Sequence, residues 1–178
     1  MKMTLEQVPH SVEYLPASPA DAEGIFAVQL GGWLTAYVNH DLGITAELIN
    51  ARFANREERI AKLKARIKDI AAGAPDKRLW VAVADGLVIG YCSPLKFSET
   101  SGRLGALTVE PEYQGTGVAS RLIQLAIDWF GSMPMDLSVV AYNQRALAFY
   151  KKFGFVEIGP DTMAIGDKSL PLINMRRG

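Results

Sequence analysis

Two apolar runs meet at Asp85-Gly86, and that junction constrains the fold more than any other stretch of the chain. Leu79-Trp80-Val81-Ala82-Val83-Ala84 precedes it and Leu87-Val88-Ile89-Gly90-Tyr91-Cys92 follows it. Asp-Gly supplies the positive φ angles that a tight type I′ turn requires, so the two runs predict a β-hairpin. A third strand is expected at about 103–109. Beyond it the pattern alternates: a helix over 117–130, a short buried strand over 135–140, a helix over 143–153, a strand over 155–158 and a last strand near 171–175.

Ahead of the hairpin the period is helical. After a short strand expected at 11–15, Ser18 and Pro19 have the chemistry of a helix cap and first helical residue. A helix to about Leu30 follows, interrupted by Gly31 and Gly32, with Trp33 to His40 as a further turn or short helix and Asp41-Leu42-Gly43 as a loop. Thr45 caps the next segment. There Ile49, Phe53, Ile60, Leu63, Ile67 and Ile70 form one apolar stripe on a single long helix ending near Gly73. Between Arg52 and Asp69 that helix carries seven basic and three acidic residues, an excess of four positive charges that a solvated face accounts for. Helices, then hairpin strands, then alternating helix and strand indicate a mixed sheet with helices on both faces.

At 178 residues the chain is expected to be one domain over 1–178, and 49% hydrophobic with 21% charged residues is a globular composition. Nineteen basic against nineteen acidic side chains leave no net field for nucleic acid or anionic lipid. The longest apolar run, Leu79 to Ala84, is six residues, where a spanning helix needs about 20. The amino-terminal stretch is polar where a signal peptide would be apolar, and the lone Cys92 excludes an intramolecular disulfide. A reducing cytoplasm is the expected compartment. His10 and His40 fall in expected loops with surface roles, no metal-ligand spacing occurs, and Cys92 in an apolar strand reads as packing.

The stretch richest in chemistry is Leu107-Thr108-Val109-Glu110-Pro111-Glu112-Tyr113-Gln114-Gly115-Thr116-Gly117-Val118-Ala119-Ser120, a strand passing through a glycine loop into a helix. Such a loop crowds main-chain N–H groups together, and the helix N-terminus adds unpaired donors, which together suit phosphate. Gly115-x-Gly117 is neither a dinucleotide fingerprint nor a nucleotide-phosphate loop. By itself a glycine turn feeding a helix serves structure equally well. A second segment, Asn143-Gln144-Arg145-Ala146-Leu147-Ala148-Phe149-Tyr150-Lys151-Lys152-Phe153-Gly154-Phe155, has a helix cap at Asn143, a stop at Gly154, and Asn143 and Tyr150 about two turns apart on one face. A capped helix with its aromatics in the core accounts for that segment taken alone.

Together the two segments resemble the GCN5-related N-acetyltransferase (GNAT) family. Gln114-x-x-Gly117-x-Ala119 is similar to its phosphate-loop pattern, and Asn143-x-x-Ala146-x-x-Phe149-Tyr150-x-x-x-Gly154-Phe155 to its later cofactor and acid segment. The resemblance is specific from about Trp80 to Ile158. It implies an α/β (α+β) fold with a mostly antiparallel, twisted sheet of about six to seven strands. It also divides the labour: acceptor-side helices over 1–78, an acetyl-CoA-binding core over 79–158 and a carboxy-terminal strand region over 159–178.

Residue by residue, the resemblance implies acetyl-CoA as the acetyl donor. The cofactor-binding residues would be Leu107, Thr108 and Val109 on the splayed fourth strand, Gln114, Gly115, Thr116, Gly117, Val118, Ala119 and Ser120 at the pyrophosphate, and Asn143 and Tyr150 beside the arm. Tyr150, with an ordinary phenol pKa of about 10, would be the general acid for the departing thiolate. Where some relatives carry a Glu at the start of the fourth strand this chain has Arg103, which leaves Glu99 or a water chain to take the acceptor's proton. Trp33 and Tyr37, four apart, either pack in the core or wall the acceptor channel together with a carboxylate such as Glu99. The acceptor implied is a small-molecule amine or a peptide amine. Trp33 to Thr45 and Leu170 to Met175 are loosely similar to bacterial members of the polyamine type, while a protein N-terminal or lysine amine stays open, as does a homodimer. A sensor that binds acetyl-CoA without turnover is the competing reading.

Overall fold

A computed structural model of the chain describes residues 11–178. His10 lies outside the described residues. Among the described residues seven strands form one sheet: β1 (Glu13–Pro16), β2 (Trp80–Ala84), β3 (Leu87–Lys96), β4 (Gly102–Val109), β5 (Met135–Val140), β6 (Val156–Ile165) and β7 (Lys168–Arg177). Their order is β1-β2-β3-β4-β5-β7-β6. Five α-helices cover it: α1 (Ala22–Ala36), α2 (Ala46–Arg52), α3 (Arg56–Ala71), α4 (Val118–Phe130) and α5 (Gln144–Lys152). The expected mixed, mostly antiparallel sheet with helices on both faces is the observed one. Asp85 (φ 49°) and Gly86 (φ 76°) form the predicted hairpin turn between β2 and β3.

Each face of the sheet has its own core. On the back, Val118, Leu122, Ile123, Ala126, Ile127 and Phe130 of α4 recur at helical spacing and bury against Leu104 and Val109 of β4 and Met135, Leu137 and Val139 of β5. On the front, Ile25, Phe26 and Val28 of α1, Ile49 of α2, and Ile60 and Ile67 of α3 pack against Val81, Tyr91 and Val140. No helix among the described residues is long and apolar enough to cross a membrane.

Three expectations need correction. Gly31 and Gly32 do not interrupt the first helix, because α1 runs unbroken from Ala22 to Ala36. Gly32 is there for close contact: a Cβ on it would lie 2.3 Å from Thr108 Cγ2, just as one on Gly24 would lie 2.9 Å from Val88. The long helix expected after Thr45 is two helices, since the chain turns at Phe53 and Asn55 adopts a left-handed conformation (φ 61°). The last two strands are ten residues each, not four or five. Pro160 lies within β6, an edge strand, where a proline lacking an N–H is tolerated.

β4 and β5 are the one parallel neighbour pair, and they pair only at Gly102↔Met135 and Arg103↔Asp136. Beyond those two positions the sheet opens. Because α1 owes its seat on β4 to the missing Cβ, Gly32→Ala is expected to cost about 1–3 kcal/mol in urea unfolding, as overpacking does. Combining it with Thr108→Ser, which removes the clashing methyl, recovers most of that loss.

Candidate functional site

The opening exposes main chain. Glu110 N–H donates to Ile89 C=O at 2.8 Å, which makes Gly90↔Val109 a non-hydrogen-bonded pair of the β3–β4 ladder. The N–H and C=O of Val109, and by alternation those of Leu107, therefore face β5, which does not pair with them. Thr108, between them, spends its main chain on Tyr91 and its side chain under Gly32, so it is not brought to the opening.

At the end of β4 the chain makes a short 3-10 turn at Pro111–Tyr113 and enters the glycine loop, with Gly115 at φ 87° and Gly117 at φ 96°. No side chain caps α4, and the N–H groups of Gly115, Gly117, Val118, Ala119 and Ser120 have no acceptor among the described residues. Nothing lies within 4 Å of where a Gly117 Cβ would be. A row of unpaired donors at the start of a thirteen-residue helix fits a diphosphate. Thr116 is tied down by its hydroxyl, which donates to Tyr113 C=O at 2.6 Å.

Gln114 links three elements. Its Nε2 donates to Val109 C=O at 3.3 Å, and its Oε1 accepts from Arg145 Nη1 at 2.5 Å. Arg145, in the first turn of α5 and with Nη2 4.0 Å from a Gly115 Cβ, brings a positive charge to the loop that sequence reasoning missed. Its place two residues after the cap Asn143 was the available signal. Asn143 Oδ1 accepts from Ala146 N–H at 3.1 Å, which spends its carbonyl on the cap and leaves its amide NH₂ free to donate.

Tyr150 sits on α5 between Phe149 and Phe155, with ring centroids at 5.3 and 5.6 Å. Its hydroxyl has no hydrogen-bond partner among the described residues. Burial pushes its pKa well above the usual phenol value, with smaller contributions from Cys92 and Tyr37. Tyr37 is carried by the front layer and Tyr150 by the back one. Trp33 and Tyr37 do share a face, at 4.3 Å between centroids, and Phe53 and Arg52 complete their surroundings. Tyr142, just past β5, donates its hydroxyl to Tyr37 C=O at 2.6 Å.

Glu99 is not brought to this place. It lies in the loop before Gly102, beside Phe130 and Pro134, at the opposite end of β4 from Val109, roughly 23 Å away along the strand. Glu99 is therefore not an acceptor-side neighbour of Trp33 and Tyr37, because the β3–β4 turn it occupies is at the other end of the strand from the opening. Arg103 is on the floor instead, with Nη2 donating to Ser138 Oγ at 3.0 Å. Glu110, which the sequence did not single out, ends β4 with its carboxylate oxygens 3.9 Å from a Gly31 Cβ; burial first, then Glu112, raises its pKa. His40 is exposed, and Cys92 is a free, fully buried thiol whose pKa burial raises.

The model of the acetyltransferase (GNAT) family matches residues 44–155. The peptidyl-lysine N-acetyltransferase YjaB of Escherichia coli is 31% identical over 119 residues, 65% of this chain and 75% of that protein. An uncharacterized N-acetyltransferase of Mycobacterium tuberculosis is 34% identical over 96 residues, 52% of this chain and 61% of the relative's own length. The crystal structure of the PaiA N-acetyltransferase from Thermoplasma acidophilum in complex with coenzyme A has the same fold, with a TM-score of 0.76 at 22% identity over 94% of this chain and 98% of that one.

The raised Tyr150 pKa fixes an alkaline signature. An unfolded phenol ionises near pH 10, below the folded Tyr150, so its contribution to stability is complete below that pH and is lost as the pH rises toward the folded value. Tyr150→Phe is expected to flatten the fall in stability above about pH 10 and to leave the tyrosinate absorbance step near pH 10 unchanged, measured by unfolding and ultraviolet titration.

Proposed function

Since this chain belongs to the acetyltransferase (GNAT) family, we propose that it transfers an acetyl group from acetyl-CoA directly to a primary amine. The observation that carries the reading is the unpaired edge of Leu107 and Val109 running up to the uncapped start of α4. An extended arm adds to such an edge as another strand would, and a diphosphate ends on the loop donors with Arg145 beside them. Acetyl-CoA, the co-substrate, supplies the thioester. The division of labour follows the layers: residues 79–158 hold the donor, and the front helices over 1–78 select the acceptor.

In the transfer the amine nitrogen bonds to the acetyl carbon, the carbon–sulfur bond breaks, the thiolate takes the proton of Tyr150, and the proton shed by the new amide nitrogen restores the phenol. Burial keeps that phenol protonated at neutral pH, so it is always loaded to donate. The Val109 N–H is the donor aimed at the carbonyl oxygen as negative charge develops on it. An alkyl ammonium with a pKa near 10.4 must first lose a proton, about 4 kcal/mol uphill at pH 7. That proton leaves through water at the mouth of the opening, with Glu110 as the neighbouring carboxylate. Acetylation of a lysine or amino-terminal amine uses the same steps, and identity to YjaB is what favours a peptide acceptor over a polyamine.

Two variants separate binding from chemistry. Gly117→Glu places a carboxylate among the loop donors and is expected to weaken acetyl-CoA at least tenfold by calorimetry, about 1.4 kcal/mol. Gly117→Ala shares the cost of the left-handed φ and so isolates the charge; equal affinities in the two would move the diphosphate elsewhere. Tyr150→Phe is expected to keep acetyl-CoA affinity while lowering kcat by roughly 10² to 10⁴ in a thiol-release assay. Affinity without release of thiol on any amine in the wild-type protein would identify a sensor.

A further inference from the structure

Resting on the acetyl-CoA reading above, we infer that Gln114 stands in for the donor's arm at the end of β4, giving up the Val109 carbonyl as the arm binds and taking it back as coenzyme A leaves. Val109 is 6% exposed, and its main-chain groups face β5, which does not pair with them. A carbonyl in such a place needs a partner. It has one in Gln114, whose Nε2 donates to it at 3.3 Å from five residues along the chain. An arm that adds to the edge of β4 as a strand brings an amide N–H to that same oxygen. The bond is therefore made by a side chain that the donor replaces like for like, amide for amide.

Place decides the competition as much as chemistry does. One end of the Gln114 amide is on Val109, and the other accepts from Arg145 Nη1 at 2.5 Å. Arg145 is itself at the glycine loop, with Nη2 4.0 Å from where a Gly115 Cβ would be. The side chain thus bridges the strand edge that suits the arm and the loop donors that suit the diphosphate, which is the stretch where those two parts of one donor join. The neighbouring polar side chains are committed elsewhere: Thr116 donates to Tyr113 C=O at 2.6 Å, and Asn143 Oδ1 caps α5. Gln114 is exposed, so its two hydrogen bonds are what hold it there, and exchanging them frees it.

Arg145 makes the exchange responsive to the diphosphate. It has no carboxylate partner within 4.0 Å among the described residues. Unlike Lys151 and Lys152 in the last turn of α5, it sits in the first turn, where a positive charge opposes the helix dipole, so helix stability does not account for it. Phosphate oxygens are stronger partners for a guanidinium than a neutral amide oxygen is. Fixing the rotamers of Gln114 costs its freedom once for two bonds, so each bond supports the other. When Arg145 turns to a diphosphate, the Gln114–Val109 bond loses that support and yields to the arm. The two parts of the donor then assist each other through Gln114, and by linkage the assistance is reciprocal. On release the same two bonds re-form, which lowers the affinity for coenzyme A and speeds its departure.

The test takes the donor in two pieces: acetyl-pantetheine carries the arm alone and inorganic pyrophosphate the diphosphate alone, with dissociation constants read by NMR titration of the folded protein. Gln114→Ala removes both bonds and is expected to tighten acetyl-pantetheine and coenzyme A about three- to tenfold, the range of one lost hydrogen bond. Gln114→Glu keeps a partner for Arg145 and, ionised, has no N–H for Val109. It is expected to tighten acetyl-pantetheine while weakening pyrophosphate at least about threefold. In the wild-type protein saturating pyrophosphate is expected to tighten acetyl-pantetheine about threefold, and in Gln114→Ala not at all. A side chain that merely shapes the loop would move both probes the same way in Gln114→Glu, which overturns the inference. Weaker or unchanged acetyl-pantetheine in Gln114→Ala, with coenzyme A still bound, also overturns it and leaves the acetyltransferase reading intact. Coenzyme A that does not bind the folded wild-type protein at all overturns the donor site, and the role of Gln114 with it.

Discussion

The structure depends on a ladder that stops after two rungs. β5 spends six register positions on β7 and only two on β4, so the strands part above Arg103 and Asp136. Unpaired main-chain groups in a protein interior cost free energy unless something else takes their place. On the reading proposed above the missing partner is a ligand with its own hydrogen-bonding arm, and the rest of the fold holds the two halves of the sheet apart around the opening. Their second connection is at the front. Tyr142, at the end of β5, bonds Tyr37 at the end of α1, Leu48 of α2 lies against Gly166 in the β6–β7 turn, and Lys168 lies against Gly43. With two rungs below and this bridge above, the halves neither close nor come apart.

What fills the opening follows from which groups border it. The back layer ends in donors: free N–H groups at the start of α4, Arg145 over the loop, and the Tyr150 hydroxyl kept neutral by burial. The front layer ends in aromatic surface at Trp33 and Tyr37. A zero net charge conceals this separation. The excess of positive charge on the stretch from Arg52 to Asp69 is partly a solvated face, as its ion pairs Arg56–Glu23 and Lys62–Glu58 show, and partly reaches the sheet through Arg66.

How much of this was legible in the sequence depended on how local its cause was. Asp85-Gly86, the cap at Thr45, the cap at Asn143 and the glycine loop are fixed by residues a few positions apart, and they were placed correctly from composition and spacing. Gly32 does not break the helix because the reason for it is Thr108, more than seventy residues on. The break at Asn55 was hidden because its apolar neighbours keep a helical period on both sides of it. Glu99 looked like a neighbour of the site because it precedes β4, yet an antiparallel turn puts the start of a strand at the far end of the sheet from its finish. Arg145 was overlooked between a cap and an aromatic pair that drew the attention.

The same reasoning says where the selectivity of such a chain resides. Donor recognition uses main-chain groups and a helix start, which tolerate side-chain change and demand only glycines, a turn and a strand edge. Acceptor recognition, on the reading proposed above, falls to side chains of the front layer, which converge only when the sheet is formed. Motif spacing therefore carries the donor and cannot carry the acceptor. For this chain the informative departure is Arg103: where the resemblance leads one to look for a carboxylate base, it sets a cation. A guanidinium cannot take a proton from an amine, so on the reading proposed above proton removal falls to solvent and not to the start of β4.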